Sequence, residues 1–575
     1  MAVRIKESEL RLTRRVEDRS VDATASGTLR LPSELPDAAS VVRWRALASV
    51  ERLTPDPASG RVEAQGRVRV WVVYVAAGSE APDPVGAVYG GRMDGELSYS
   101  AWLEIPPEGE AAAWQVDVTV RDVEGRFRPD GRSADVDAVL GVHFTGVASE
   151  QSRVVTQVLA SPPDRVDAST ANLRLKVVQG WATARINVED ARPMDVPGGG
   201  DRPLRVLDLR VQPLITGVEV RPGEAVVKGQ LSYELLYAYQ HQPAAQGSAL
   251  DAGAPAEPAQ EEATGGSGPA ERQAPARAWH VDLASWTGQE GFESALAIDG
   301  IGQGSQVKAQ ASVTDASVRI LGTEGVVSVS AQVEIRATAT ASQLVPVVAA
   351  IRADAASVEQ RTVPVRVEAP AGEGRRTFTA STTVELPGGL PPIERIVWSG
   401  AGVDTITARP EPGRVHVSAT ATPWIYYLPY KAEPQSQGLH FASWPGALSI
   451  EQVLAIPDLR PEAEVRAQAG PMTAEVDLIS RQTLEFTVSG TCQAEAETPV
   501  TQDVVAEAVL VRPSGSEPDP FIYLVVTQAG DTLWKLSRRY RTATQQILAA
   551  NPDLEAYEET AQLPAGTRLF ILRGA

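Results

Sequence analysis

Apolar and polar positions alternate with a period of two through much of the chain. Val62, Ala64, Gly66, Val68, Val70, Val72 and Tyr74 alternate largely with Arg61, Glu63, Gln65, Arg67 and Arg69, the pattern of a strand with one buried face. The same pattern returns 163 positions on as Ala225, Val227, Gly229, Leu231, Tyr233, Leu235 and Tyr237. Another 190 positions on it reads Val415, Val417, Ala419, Ala421, Pro423, Ile425 and Tyr427. Each copy is preceded by a glycine in a turn-like context: Pro57-Ala58-Ser59-Gly60, Pro222-Gly223 and Pro412-Gly413. The shared spacing predicts one turn-strand unit used three times. Pro423 predicts an edge or a bulge in the third copy, because proline donates nothing to a ladder.

Other positions keep the same register. Leu10-Arg11-Leu12 corresponds to Leu173-Arg174-Leu175 and to Val365-Arg366-Val367. Copies one and three share Thr24-Ala25-Ser26, Thr28, Leu31-Pro32 and Leu35-Pro36 with Thr379-Ala380-Ser381, Thr383, Leu386-Pro387 and Leu390-Pro391; copy two keeps only Val196-Pro197. Copies two and three close on further alternating strands, Val327 to Ile335 and Leu484 to Cys492, and the phase puts Cys492 on the buried face. Copy two is longer because of a Pro/Ala/Gly/Glu-rich tract at 243–277 without apolar periodicity. It is expected to be a mobile loop, since it cannot bury enough surface to offset ordering. The predicted class is mainly β: sandwich-like repeats at 1–160, 171–342 and 363–512, then a small α+β domain at 521–575.

The last domain reads strand, helix, helix, strand. Val525-Val526 leads to a turn at Gly530. Asp531 or Thr532 then caps a helix whose Leu533, Leu536 and Tyr540 share one face. Thr544 to Ala550 forms a second helix stopped by Asn551-Pro552, and Leu569 and Ile571 alternate in a closing strand. With Gly530-Asp531-Thr532-Leu533-Trp534, Tyr540, Ala550-Asn551-Pro552 and Leu554, and the closing Leu563, Gly566, Leu569 and Ile571, residues 523–572 resemble a LysM domain. The resemblance implies a shallow groove for N-acetylglucosamine units of peptidoglycan or chitin. Gly530, Asp531, Thr532 and Leu533 would form one side, and Asn551, Pro552, Asp553 and Leu554 the other. Two positions depart from the family pattern: Val525 stands where an aromatic is usual, with Tyr523 displaced by two, and Arg541 stands where glycine is common.

The chain has 53 Lys and Arg against 73 Asp and Glu, a net charge of −20, which disfavours nucleic acid and anionic lipid as ligands. One cysteine excludes an intramolecular disulfide, and the opening residues hold no apolar run of signal-peptide length, so a cytoplasmic location is expected. The five histidines, His143, His241, His280, His416 and His440, lack metal-binding spacing, and His143 and His416 fall on polar phases expected to be solvated. Nucleophile-elbow and phosphate-loop motifs are absent. The expectation is therefore no enzyme, no cofactor and no metal.

Three β repeats followed by one LysM resemble the SipL and SpoVID group of spore-envelope morphogenetic proteins, whose repeats are called SPOCS domains. The resemblance rests on the Leu-Pro strings, the turn-glycine strand ending in tyrosine, and the module order. It implies a non-catalytic adaptor made in the mother cell and placed on the forespore surface. There it would join a coat basement-layer ATPase of the SpoIVA type to other coat proteins, with LysM engaging peptidoglycan, its precursor or a protein partner. The alternatives are an exported peptidoglycan-binding surface protein or a wall hydrolase.

Overall fold

A computed structural model describes residues 4–572 apart from 57, 79–83, 106–112, 160–165, 195–203, 242–277, 322–324, 354–356, 431–437 and 512–521. The tract at 243–277 and the Val196-Pro197 pair therefore lie outside the described residues. The chain is mainly β with a small C-terminal α+β domain. The first repeat holds β1 (Arg4–Arg30), β2 (Ala38–Asp56), β3 (Arg61–Ala76), β4 (Val88–Arg92), β5 (Leu97–Glu104), β6 (Ala113–Phe127) and β7 (Ser133–Leu159). The second holds β8 (Val166–Pro193), β9 (Leu204–Arg221), β10 (Glu224–His241), β11 (Ala278–Thr287), β12 (Phe292–Ala297), β13 (Ser305–Leu321) and β14 (Val326–Ala353). The third holds β15 (Ser357–Glu385), β16 (Ile393–Glu411), β17 (Arg414–Pro429), β18 (His440–Ser443), β19 (Leu448–Ala455), β20 (Glu464–Ala469), β21 (Thr473–Ser480) and β22 (Thr483–Val511).

One plan serves all three. In the first repeat β3 lies between β2 and the pair β4 and β5, while β7 lies between β1 and β6. The counterparts of β3 are β10 and β17, and those of β7 are β14 and β22. Alternation buries the inner faces of the two sheets against each other, so Tyr74 and Phe144 share one core, Tyr233 and Val333 a second, and Val417 and Val488 a third. Cys492 is fully buried in this third core, and burial pushes its thiol pKa up.

The turn glycines close the hairpins into β3, β10 and β17. Gly60, Gly223 and Gly413 have φ of 65°, 80° and 76°, a region that only glycine enters without strain. Their carbonyls accept from Ile105, Ile298 and Ile456 N–H at 2.8, 3.0 and 3.1 Å, one bond repeated three times. At Pro423 the expected edge holds locally: β17 is central in its sheet and unbulged here, but has a strand partner on one side only at this residue. On one side Pro423 pairs with Ala401, and on the other it falls between β19, which stops opposite Ala421, and β18, which starts opposite Trp424. Its carbonyl accepts from Trp444 N–H at 3.0 Å. A strand residue's N–H and C=O point the same way, so the missing N–H faces this gap and breaks no ladder bond.

The first and last strands of each repeat run 27 to 29 residues because they do two jobs. Beyond Val147, Ala341 and Glu497, β7, β14 and β22 pair only with β1, β8 and β15, so each repeat extends a two-stranded ribbon. A register shift marks each transition, at Arg15/Glu17, Ala339/Thr340 and Pro370/Gly372. Such a bulge changes the phase of alternation and re-aims the apolar residues. The three ribbons pack together: Val154, Leu173, Leu175, Val347, Val365, Val367 and Val504 form one cluster. The adjacent Val155, Val348 and Val505 form another. The repeats meet again where Val73, Leu236 and Tyr426, each just before an aligned tyrosine, share an apolar cluster.

Charges close the ring. Asp117, Lys308 and Arg466 each follow an aligned valine, at Val116, Val307 and Val465, and each pairs with a neighbouring repeat. Asp117 binds Arg336, Lys308 binds Glu495 and also Glu373 at 3.3 Å, and Arg466 binds Asp18 at 2.6 Å. Asp208, 1% exposed, accepts from Tyr426 Oη at 2.9 Å and lies 3.3 Å from Arg45, so three repeats meet on one carboxylate. The two histidines expected to be solvated are half-exposed and paired. His143 Nε2 lies 2.7 Å from Asp18, and His416 Nε2 lies 3.1 Å from Glu411. Alternation alone placed them at the surface, but the carboxylates come from elsewhere in the fold or from across a turn.

Candidate glycan-binding site

The C-terminal domain comprises β23 (Ile522–Val526), α1 (Leu533–Tyr540), α2 (Thr544–Ala550) and β24 (Arg568–Leu572), with β23 and β24 antiparallel. Val525, Leu533, Leu536, Ile547, Leu554, Leu563, Leu569 and Ile571 form its core. Val525 is buried, and the displaced Tyr523 supplies the aromatic contact instead, its ring 5.0 Å from that of Tyr540. Arg541 ends α1 at φ 53° and ψ 46°, the left-handed conformation that glycine would adopt without penalty.

The two loops predicted to form a groove differ in how their side chains are used. Thr532 is the N-cap of α1, its Oγ1 accepting from Lys535 N–H at 3.1 Å. Asp531 is 4% exposed and turned inward; its carboxylate accepts from Gln528 N–H at 2.8 Å and lies 3.4 Å from Arg539. The Gly530 carbonyl accepts from Lys535 Nζ at 2.7 Å. Asn551 is a clamp: its Nδ2 donates to Ile547 O at 2.7 Å and to Phe570 O at 2.6 Å, and its Oδ1 accepts from Phe570 N–H at 2.8 Å. These bonds tie the end of α2 to β24. Leu533 and Leu554 come together, but inside the core, at 0% and 4% exposure. Pro552 and Asp553 are exposed and Gly530 is half-buried. A sugar at these loops would therefore meet backbone groups, Pro552 and Asp553, while the side chains of Asp531, Thr532 and Asn551 hold the loops in shape.

Sequence reasoning missed the contact between this domain and the repeats. Arg352 of β14 is 6% exposed and binds Asp167 and Glu559, each at 3.0 Å, together with the Thr544 hydroxyl. Glu559 also accepts Trp534 N–H through its carbonyl at 2.9 Å. One arginine thus joins the ribbon end to the start of α2 and to the loop beside α1. No local pattern around Arg352 signals a partner some two hundred positions away.

Residues 525–571 match the LysM domain family, so the chain carries a C-terminal LysM domain, which points to peptidoglycan or another N-acetylglucosamine-containing glycan as ligand. No curated protein and no solved structure gives a significant match to the chain. Among the described residues, no helix is long and apolar enough to cross a membrane.

Proposed function

We propose that the protein is a non-catalytic scaffold that holds other envelope components on an N-acetylglucosamine-containing glycan through its LysM domain. The match at 525–571 carries this reading. It is supported by the interlocked repeats, whose ribbons and charge pairs make one large body with the LysM domain fixed to it through Arg352. A rigid body with several faces gains from multivalency, because each weak contact raises the effective concentration for the next.

The setting we propose is the spore envelope, in the mother-cell cytoplasm at the forespore surface, with a coat basement-layer ATPase of the SpoIVA type and other coat proteins as partners. The module order and the tyrosine and Leu-Pro signatures of the repeats favour it. Co-sedimentation of the full chain with purified peptidoglycan tests the glycan reading, and retention is expected. Passage of the wild-type chain into the supernatant would move the LysM domain to protein binding. Clearing of wall in a zymogram would replace the scaffold by a hydrolase.

A further inference from the structure

The two-stranded sheet of the LysM domain is apolar on both faces. The inner face packs on the helices through Val525, Leu569 and Ile571. The outer face presents Ile522, Leu524 and Val526 from β23 and Phe570 and Leu572 from β24, between 42% and 62% exposed. The register places Ile522 opposite Leu572 and Leu524 opposite Phe570, so these side chains form one cross-strand ladder, bordered by Arg568 opposite Val526. A sheet with one packed face ordinarily carries polar residues on the other. A contiguous apolar patch of this kind marks an interaction surface.

The chain itself has little to cover it with. The segments outside the described residues contain only Met1, Val3, Val196, Leu250 and Phe521 as large apolar residues, scattered among Pro, Ala, Gly and charged positions. We propose that the ladder seats on the same ladder of a second copy, face to face about a twofold axis. Two observations select that occupant. An uncharged row of aliphatic and aromatic side chains is complementary to itself, as an isologous contact requires. The area also suits a dimer: side chains of this size, about half exposed, offer roughly 500 Å² per copy and on the order of 1,000 Å² for the pair, the lower edge of a specific interface. Charge favours this site over others. The whole chain carries −20, whereas 523–575 holds Lys535, Arg538, Arg539, Arg541, Arg568 and Arg573 against Asp531, Asp553, Glu555, Glu558 and Glu559, so copies meet here without the repulsion of the repeats. Pro552 and Asp553 are not part of the ladder, so dimerisation pairs two glycan-binding modules rather than consuming them.

Sedimentation velocity on the full chain tests the proposal. A reversible monomer-dimer equilibrium at micromolar concentration is expected, with association weakened at least about tenfold by Leu524→Glu or Phe570→Glu. Trp102→Glu, a change at an exposed aromatic of the first repeat, should leave the equilibrium unmoved. Leu524→Cys adds a second measurement that does not depend on a disruptive charge. The native Cys492 is buried, so a bifunctional thiol-reactive cross-linker spanning about 10 Å, the face-to-face separation of packed sheets, should link two copies through position 524. A wild-type chain that stays monomeric at about 100 µM, or a dimer indifferent to both ladder substitutions, would overturn the proposal.

Discussion

The Tyr74 hydroxyl donates to the Pro36 carbonyl at 2.7 Å, and Tyr427 makes the same bond to Pro391 at 3.1 Å. Both prolines end the Leu-Pro-x-x-Leu-Pro strings of copies one and three, so the two most recognisable features of these repeats are two ends of one contact. The buried phenol fixes the chain where it passes from the first long strand to the second. Tyr74→Phe and Tyr427→Phe should each destabilise by about 1 kcal/mol, since each leaves a carbonyl without its donor. Denaturant unfolding measures the loss, and the double substitution should be additive because the sites lie in different repeats.

At the end of α1 the sequence works against the backbone. Arg541 occupies the left-handed region at φ 53° with its side chain exposed. Arg541→Gly should stabilise the LysM domain by about 1 kcal/mol, less the added freedom of the unfolded chain. Slower amide exchange across 533–550 in the variant would register the gain, and faster exchange would contradict it.

The side chains of the candidate site separate into structural and accessible ones. Asn551→Ala should cost the domain about 2–4 kcal/mol, because three hydrogen bonds, one to Ile547 and two to Phe570, go with it and their buried or part-buried partners are left unpaired. Asp553→Arg, at an exposed position, should leave the melting curve unchanged. Thermal unfolding followed beside glycan retention distinguishes loss of fold from loss of contact.

His143 ties pH to the contact between the first and third repeats. Its hydrogen bond to Asp18 raises its pKa above 6.5, assisted by the charges of Asp18 and Asp117 and opposed by burial and Arg15. A group whose folded pKa is raised contributes fully below its unfolded value and loses that contribution as pH rises through the folded value. The melting difference between the wild type and His143→Gln should therefore be largest below about pH 6.5 and shrink above it. Asp18→Asn should reduce the pH dependence and weaken the Arg466 contact together.

Much of the fold was legible because it rests on local alternation. The strands, the turn glycines, the buried phase of Cys492 and the helix cap at Thr532 all follow from neighbours a few positions apart. What the sequence could not reveal depends on distant partners. Leu173, Leu175, Val365 and Val367 were recognisable as equivalent but not as one another's packing partners, which only the meeting of the ribbons provides. Pro423 marked a local edge, but that the rest of β17 is central was not legible, because the gap between β18 and β19 is a feature of pairing rather than of composition. The motif at Asn551 was legible, whereas its side chain proved to be a clamp on β24. Arg352 gave no signal at all.

Titration of the full chain with an N-acetylglucosamine oligomer, followed by amide hydrogen exchange, shows whether the two LysM loops hold glycan. Added protection is expected at 528–533 and 551–555 alone, much reduced in Asp553→Arg. Unchanged exchange in both loops at saturating oligomer, or protection confined to the repeats, would contradict that expectation.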